Sequence, residues 1–456
     1  MTGALLQLVA RGHIDARLTG NPEISYFKIV YRRHTNFSME ALEQSFTGEV
    51  VNAGGTTTAD IVTNGDLIHN MWLDVKIPGG LIESTNADFE ASYTYNTGHA
   101  LIDEVSLKIG GQTIDKHSGG FMNAHTELTD HEDAEKNILN RKRKVGIGTS
   151  PSLVCKALQL YVPLKFWFNR HPGLALPLVA IYNQPITIDL KTRDVRGLIN
   201  SNATGAHDAI ATDATLSINV KLYANTIYLD KEERRRFAET PQHEYLIEQV
   251  QYQKLNFEKT VRLNFNYPVK ELIWTIQYSS TSQAVSGLAD LALDGLNNTP
   301  DADDRTITMK NNYFNFVCLD STVTDNVNSG IDRHHAFETA TLKINSKPRF
   351  EAQKASYFKY LQRAQAGHRT LGNRDLLRGT AITAVQAFDH TNIYCYSFAL
   401  HPEKHQPSGT CNFSKLENAQ LEFTNPATTQ AKDIIVYAIN YNILIITDGY
   451  AKLAYN

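Results

Sequence analysis

Cysteine is scarce in this chain: four residues among 456, at Cys155, Cys318, Cys395 and Cys411. They are widely scattered and form no CxxC pair, which excludes the usual zinc-ribbon and disulfide-framework patterns. They read as inert thiols in a reducing compartment. An excess of charge of one sign is also lacking. Lys and Arg total 44 against 48 Asp and Glu, a net charge of −4. No global field would draw the protein onto nucleic acid, so direct genome binding is not expected. No stretch approaches the ~18 consecutive apolar residues of a membrane-spanning helix. At the N-terminus, Arg11 and Arg17 stand where a signal peptide would carry its small-residue cleavage site. The chain is therefore expected to stay in the cytosol or to leave it by a route other than secretion.

Signatures of chemistry are missing too. No HExxH is present, and VGIGTS (145–150) lacks the GK[ST] ending of a phosphate loop. DADDRT (301–306) lacks the Gly and Glu that a calcium hand needs. His401 and His405 are four apart, but Pro402 and Pro407 argue for a loop. His334 and His335 would point apart on a strand. His117, His125 and His131 lie in a polar stretch and read as structural. The run Arg141-Lys142-Arg143-Lys144 reads as a solvated loop, with nuclear import or anion binding as its functional alternative. No catalytic, cofactor or metal residue is assigned. Sequons stand at Asn36, Asn202, Asn297 and Asn412. Asn202 and Asn297 fall in expected loops and are the candidate glycosylation positions.

What the sequence does have is a β signature. Hydrophobic residues make up 42%, Tyr (21) and Phe (19) are plentiful, and Val, Ile and Thr recur in short runs. The length suits two all-β domains. Strands are expected in 24–33, 60–78 (after the Asn64-Gly65 turn), 161–190, 220–230, 262–278, 339–350, 392–400, 417–423 and 433–447. A hairpin is expected at 103–116 around Gly110-Gly111. Residues 117–150 read as a polar, partly helical surface excursion, and 279–305 as an exposed loop. DKEERRRFAE (230–239) is the clearest helix, with Asp230 and Glu233 as a capping box and Pro241 as its stop. A second helix-like stretch carries Phe350, Tyr357, Phe358 and Leu361 on one face. The leader, with Leu5, Leu8 and Val9 at helical spacing, could dock on a surface.

The halves echo each other in order. Trp72 in NGDLIHNMWLDVKI aligns with Trp274 in NYPVKELIWTIQY. LKIGGQ (107–112) matches LKINSK (342–347), ITIDL (186–190) matches AQLEF (419–423), and Tyr223 meets Tyr437. Four ordered matches indicate a duplicated domain of about 200 residues, and many strands with long connections suit a jelly roll.

Specific blocks carry a family resemblance: LTGNPEISYFKIVYRRHTNFSMEALEQSF (18–46), YVPLKFWFNRHPGLALPLVAI (161–181), LDKEERRRFAETPQHEYLIEQVQ (229–251), YSFALHPEKHQPSGTCNFSKLENAQL (396–421) and YAINYNILIITDGYAKLAYN (437–456). The chain resembles the major capsid proteins of nucleocytoplasmic large DNA viruses. The resemblance implies an all-β fold of two tandem antiparallel eight-stranded jelly rolls, with short helices in loops and a linker helix. Its expected divisions are an arm (1–20), a first roll (21–229), a linker helix (230–242) and a second roll (243–456). It further implies a non-enzymatic shell subunit that forms homotrimeric, pseudo-hexagonal capsomers of an icosahedral virion assembled in host cytoplasm. Partners would be neighbouring capsomers and, through the arm, minor capsid proteins or an inner membrane. A jelly-roll carbohydrate-binding or attachment protein is the alternative.

Overall fold

The computed structural model describes residues 3–10, 12–47, 55–78, 90–94, 96–130, 138–139, 145–147, 157–201, 218–278, 313–314, 316, 335–369, 392–424 and 432–455. The contacts divide the chain into two units, residues 1–37 and 38–456. In the first unit two short helices, Gly3–Val9 and His13–Thr19, bury no residue. The stretch expected as a strand at 24–33 is not one. Tyr26, Phe27, Ile29, Val30 and Tyr31 are exposed, and the first strand is Phe37–Gln44. β-rich composition makes a strand only where a ladder accepts its backbone groups, and among the described residues none pairs with this stretch.

The second unit holds the duplicated architecture. In the first half, one sheet has the order Phe37–Gln44, Asn219–Leu229, Leu67–Ile77, with Leu158–Pro163 and Leu176–Pro177 on the far edge. Opposite it lie Phe46–Thr47, Thr56–Asp60, Ile186–Thr192, Ile102–Ile109 and Gln112–Ser118. In the second half, Gln242–Asn256, Lys432–Thr447 and Pro268–Tyr278 follow one another, flanked by Ile393–Ser397 and Cys411–Asn412. The opposing sheet runs Thr260–Arg262, Ala419–Thr424, Thr339–Ile344, Lys347–Pro348. All these ladders are antiparallel, and the fold is a double jelly roll.

Ladder register tests the repeat residue by residue. Leu107 opposes Ile188 in the first half, and Leu342 opposes Leu421 in the second, as the LKI and ITIDL matches require. Both hairpins turn on two left-handed residues: Gly110-Gly111 (φ +58° and +81°) and Asn345-Ser346 (φ +48° and +63°). The tryptophan match, however, slips by one. Tyr223 opposes Trp72, whereas Tyr437 opposes Ile273. With Tyr223 matched to Tyr437, Trp72 corresponds to Ile273 and Leu73 to Trp274. A one-residue shift exchanges the faces of a strand. Trp274 accordingly lies in the second core, fully buried, while Trp72 is half-buried on the outer face of its sheet.

Three further expectations are corrected. Residues 119–129 are helical, Gly119–Thr129, but do not lie on the surface: Phe121, Met122, Ala124 and Leu128 are buried in the first core. The linker helix spans Lys231–Glu239, yet no capping box closes it. The Asp230 carboxylate accepts from the Lys231 N–H at 2.8 Å. Asp66, immediately before the strand Leu67–Ile77, holds the helix instead, through Arg234 Nε at 2.9 Å. The stretch with Phe350 ends in a π-turn, Tyr357–Leu361, continuing as the helix Gln362–Ala366. Phe358 is buried there, whereas Leu361 faces outward.

Candidate functional site

The second roll's larger sheet is covered on both faces. Ile434, Val436 and Ala438 enter the second core. Tyr437 and Ile439, on the opposite face of the same strand, join the core of the first roll together with Ile273, Ile393 and Cys395. That explains why 434–439 is apolar at every position: alternation disappears when neither face meets water. Tyr437 packs on Phe121 with ring centroids 5.6 Å apart. Gly120 permits this approach, since a Cβ there would stand 2.6 Å from the Tyr437 hydroxyl.

Polar pairs continue the seam. The Val250 N–H donates to Asp115 Oδ1 at 3.1 Å, and Tyr252 Oη donates to Glu104 at 3.1 Å. Ala451 N donates to Gln184 Oε1 at 2.8 Å. Arg170 of the first roll pairs with Glu248 of the second. Glu248 also accepts from Lys270 Nζ, which donates in addition to the Pro402 carbonyl at 2.7 Å. Burial opposes the charge on Glu248, but Arg170 and Lys270 outweigh it and hold its pKa below the ordinary range. Burial lowers the pKa of Lys270, against the pull of Glu248.

Beside this pair, His368 places one ring nitrogen on Glu271 and the other 2.7 Å from Glu403. Burial disfavours its cation, yet the two carboxylates push its pKa up to about 9. The group lines a cleft of about 650 Å³ that also reaches Trp72, Tyr161, His125 and Ile439. Glu271, His368 and Cys395 bring one ligand atom each within 4.8 Å of one another. They do not fit a metal ion. Both imidazole nitrogens are engaged by carboxylates, burial keeps the Cys395 thiol protonated, and the Arg363 and Lys270 cations lie close by. The arrangement is a charge-balanced joint between domains.

Several histidines singled out in the sequence are among the described residues and have partners within the protein. His117 lies 2.9 Å from Asp115 and stacks on Phe166. His405 is in a loop, stacked on His171 at 5.5 Å, and His335 bonds the Tyr394 hydroxyl at 2.9 Å. Asn412 Oδ1 accepts from the Ser414 N–H. Asn202, Asn297, His131, His334, the 141–144 basic run and the 279–305 loop lie outside the described residues. Sequence reasoning missed Arg170, Glu248, Lys270, Glu271, His368 and Glu403. The available signal was Lys270-Glu271, two charges inside an apolar strand.

Two family models divide the chain between them. "Major capsid protein N-terminus" matches residues 25–230, and "Large eukaryotic DNA virus major capsid protein" matches 233–371 and 381–452. The chain belongs to the major capsid protein family of large eukaryotic DNA viruses. It is 36% identical to the major capsid protein of Pyramimonas orientalis virus and 33% identical to that of Paramecium bursaria Chlorella virus 1, over the full length of each pair. Among solved structures, a quasi-atomic model of the PBCV-1 virus capsid superposes with a TM-score of 0.72 at 28% identity, covering 95% of this chain and 100% of that one. The Faustovirus major capsid protein shares the fold, with a TM-score of 0.65 at 14% identity. As a major capsid protein the chain is a structural component of the virion and not an enzyme. These similarities give no support to the carbohydrate-binding alternative.

Proposed function

We propose that this major capsid protein forms a homotrimeric capsomer in which six similar rolls surround one axis, giving a pseudo-hexagonal tile for an icosahedral shell. The observation that carries the reading is the matched strand order of the two halves, together with their fixed junction. A rigid pair of like rolls, repeated threefold, presents nearly equal edges to six neighbours. Cyclic symmetry makes each contact heterologous and closed, and an obligate interface of this kind should bury on the order of 2,000 Å² or more.

The functional divisions on this reading are the arm (1–20), the first roll (21–229), the linker helix (230–242) and the second roll (243–456). The arm would bind minor capsid proteins or an inner membrane. In support, Leu5, Leu6, Leu8, Val9, Ile14 and Leu18 are all exposed on its two helices. Among the described residues no helix is long and apolar enough to cross a membrane. Synthesis and assembly would occur in host cytoplasm, and sugar, where present, would sit at Asn202 or Asn297. Light scattering on the purified chain tests the central claim. A particle of three times 51.1 kDa is expected, and a monomer at all concentrations would refute it.

A further inference from the structure

The strand Leu67–Ile77 and its repeat partner Pro268–Tyr278 are entered differently. Ahead of Pro268 the chain is clamped residue by residue. The Gln253 amide donates to the Asn264 carbonyl at 3.2 Å and accepts from the Asn264 N–H at 3.0 Å. Gln251 holds Asn266 in the same way, at 2.8 Å and 3.0 Å. Ahead of Leu67 only the ends of the turn are held. The Val62 N–H donates to Gln44 Oε1 at 2.7 Å, and the Asp66 N–H donates to the Ile227 carbonyl at 3.0 Å. Among the described residues nothing hydrogen-bonds Thr63, Asn64 or Gly65 between them. The Asn64 side chain is exposed.

These residues are chemically matched. The side-chain carbon of an asparagine can close a succinimide ring with the backbone nitrogen of the next residue, and a glycine there puts no side chain in the way. Packing demands that glycine. A Cβ at position 65 would stand 1.9 Å from Thr226 Cγ2, so the fold itself keeps the least hindered neighbour beside Asn64. The turn at Asn345 is protected by contrast. Its Oδ1 accepts from the Glu417 and Asn418 N–H groups, which fix the amide away from the following nitrogen.

We propose that Asn64-Gly65 is a self-modifying site that loosens the linker helix from the first roll. The Gly65 nitrogen bonds to the Asn64 side-chain carbon, the bond from that carbon to Nδ2 breaks, and the displaced nitrogen leaves as ammonia with the Gly65 N–H proton. Water then opens the succinimide at either carbonyl, leaving aspartate or isoaspartate at position 64. Both steps use the chain and water alone. The consequence follows from Asp66, two residues on, where several elements are tied. Its carbonyl accepts from the Val179 N–H at 3.1 Å, and its carboxylate accepts from the Leu229 N–H at 2.8 Å and pairs with Arg234 Nε at 2.9 Å. The product places a second carboxylate beside that pair, where it competes for Arg234. Isoaspartate also lengthens the backbone by a carbon just ahead of the tie.

The full-length chain is incubated folded at mildly alkaline pH, and its peptides are weighed at intervals. The peptide carrying Asn64 is expected to gain the mass difference between OH and NH2 and to resolve into aspartate and isoaspartate forms. The peptide carrying Asn345 is expected to stay unchanged over the same interval. Limited trypsin digestion of the aged, folded protein reads the consequence. Cleavage after Arg234, Arg235 or Arg236 should become several-fold faster in wild type and not in Asn64→Gln, whose longer side chain closes its ring far more slowly. An Asn64 that stays intact in the folded protein, over a time in which the urea-unfolded chain is converted, overturns the site. Conversion of Asn64 with no faster cleavage in the helix overturns its effect on the linker.

Discussion

The Arg170 guanidinium and the Glu248 carboxylate come from different jelly rolls and form an ion pair in the seam between them, with Lys270 on the same carboxylate. Removing a single partner strands the others in a low-dielectric site, which typically costs about 3–5 kcal/mol. Glu248→Leu leaves two cations without their carboxylate and should lower the melting temperature by several degrees. Pairing it with Arg170→Met and Lys270→Met should recover most of the loss. Calorimetry of the single and the combined variant beside wild type decides. A Glu248→Leu protein as stable as wild type would show that the pair contributes nothing.

His368 makes the seam pH-dependent, and the sign follows from its raised pKa. The group binds its proton more tightly folded than unfolded. Its stabilisation is therefore complete below the unfolded value near 6.5 and is lost as pH rises through about 9. The size is on the order of 3 kcal/mol. Wild type should lose stability relative to His368→Gln between pH 7 and 10 in denaturant titrations. A constant difference across that range would mean that the ring is neutral in the folded protein.

Much of the fold was legible because it rests on alternation and turn chemistry. Ile186, Ile188 and Leu190, or Gly110-Gly111, declare themselves in sequence. The linker helix at 231–239 was legible for the same reason, its charges fitting a solvent-facing turn. The joint was not. Arg170, Glu248 and His368 are far apart in the chain, and each alone resembles a surface charge. The burial of the helix Gly119–Thr129 was hidden by its polar composition, since Asn123, Thr126 and Glu127 are buried with partners that only the fold supplies. The strand expected at 24–33 failed for the opposite reason, strong local propensity without a ladder to join.

The register separates two tryptophans that the sequence aligned. Trp274 sits in the second core against Phe358 and Tyr394, so Trp274→Ala should cost about 3–5 kcal/mol. Trp72→Ala removes an outward ring and should cost the isolated chain no more than about 1 kcal/mol. Chemical denaturation of the two variants under monomeric conditions checks this. Equal losses would mean that Trp72, and not Leu73, faces a core.

The matched hairpins yield a prediction with opposite signs at adjacent residues. Ser346 adopts φ +63°, a conformation that costs a side-chain-bearing residue roughly 1 kcal/mol and glycine almost nothing. Ser346→Gly copies the first roll's turn and should stabilise the second roll by about 0.5–1 kcal/mol. Asn345 has a similar backbone at φ +48°, but its Oδ1 accepts from the Glu417 N–H at 2.9 Å and the Asn418 N–H at 3.2 Å. Asn345→Gly relieves the same strain and strands two donors, each net bond being worth about 1 kcal/mol. It should therefore destabilise. Melting temperatures of the two variants should move apart around wild type; a shift of both in one direction would mean that backbone strain alone governs this turn.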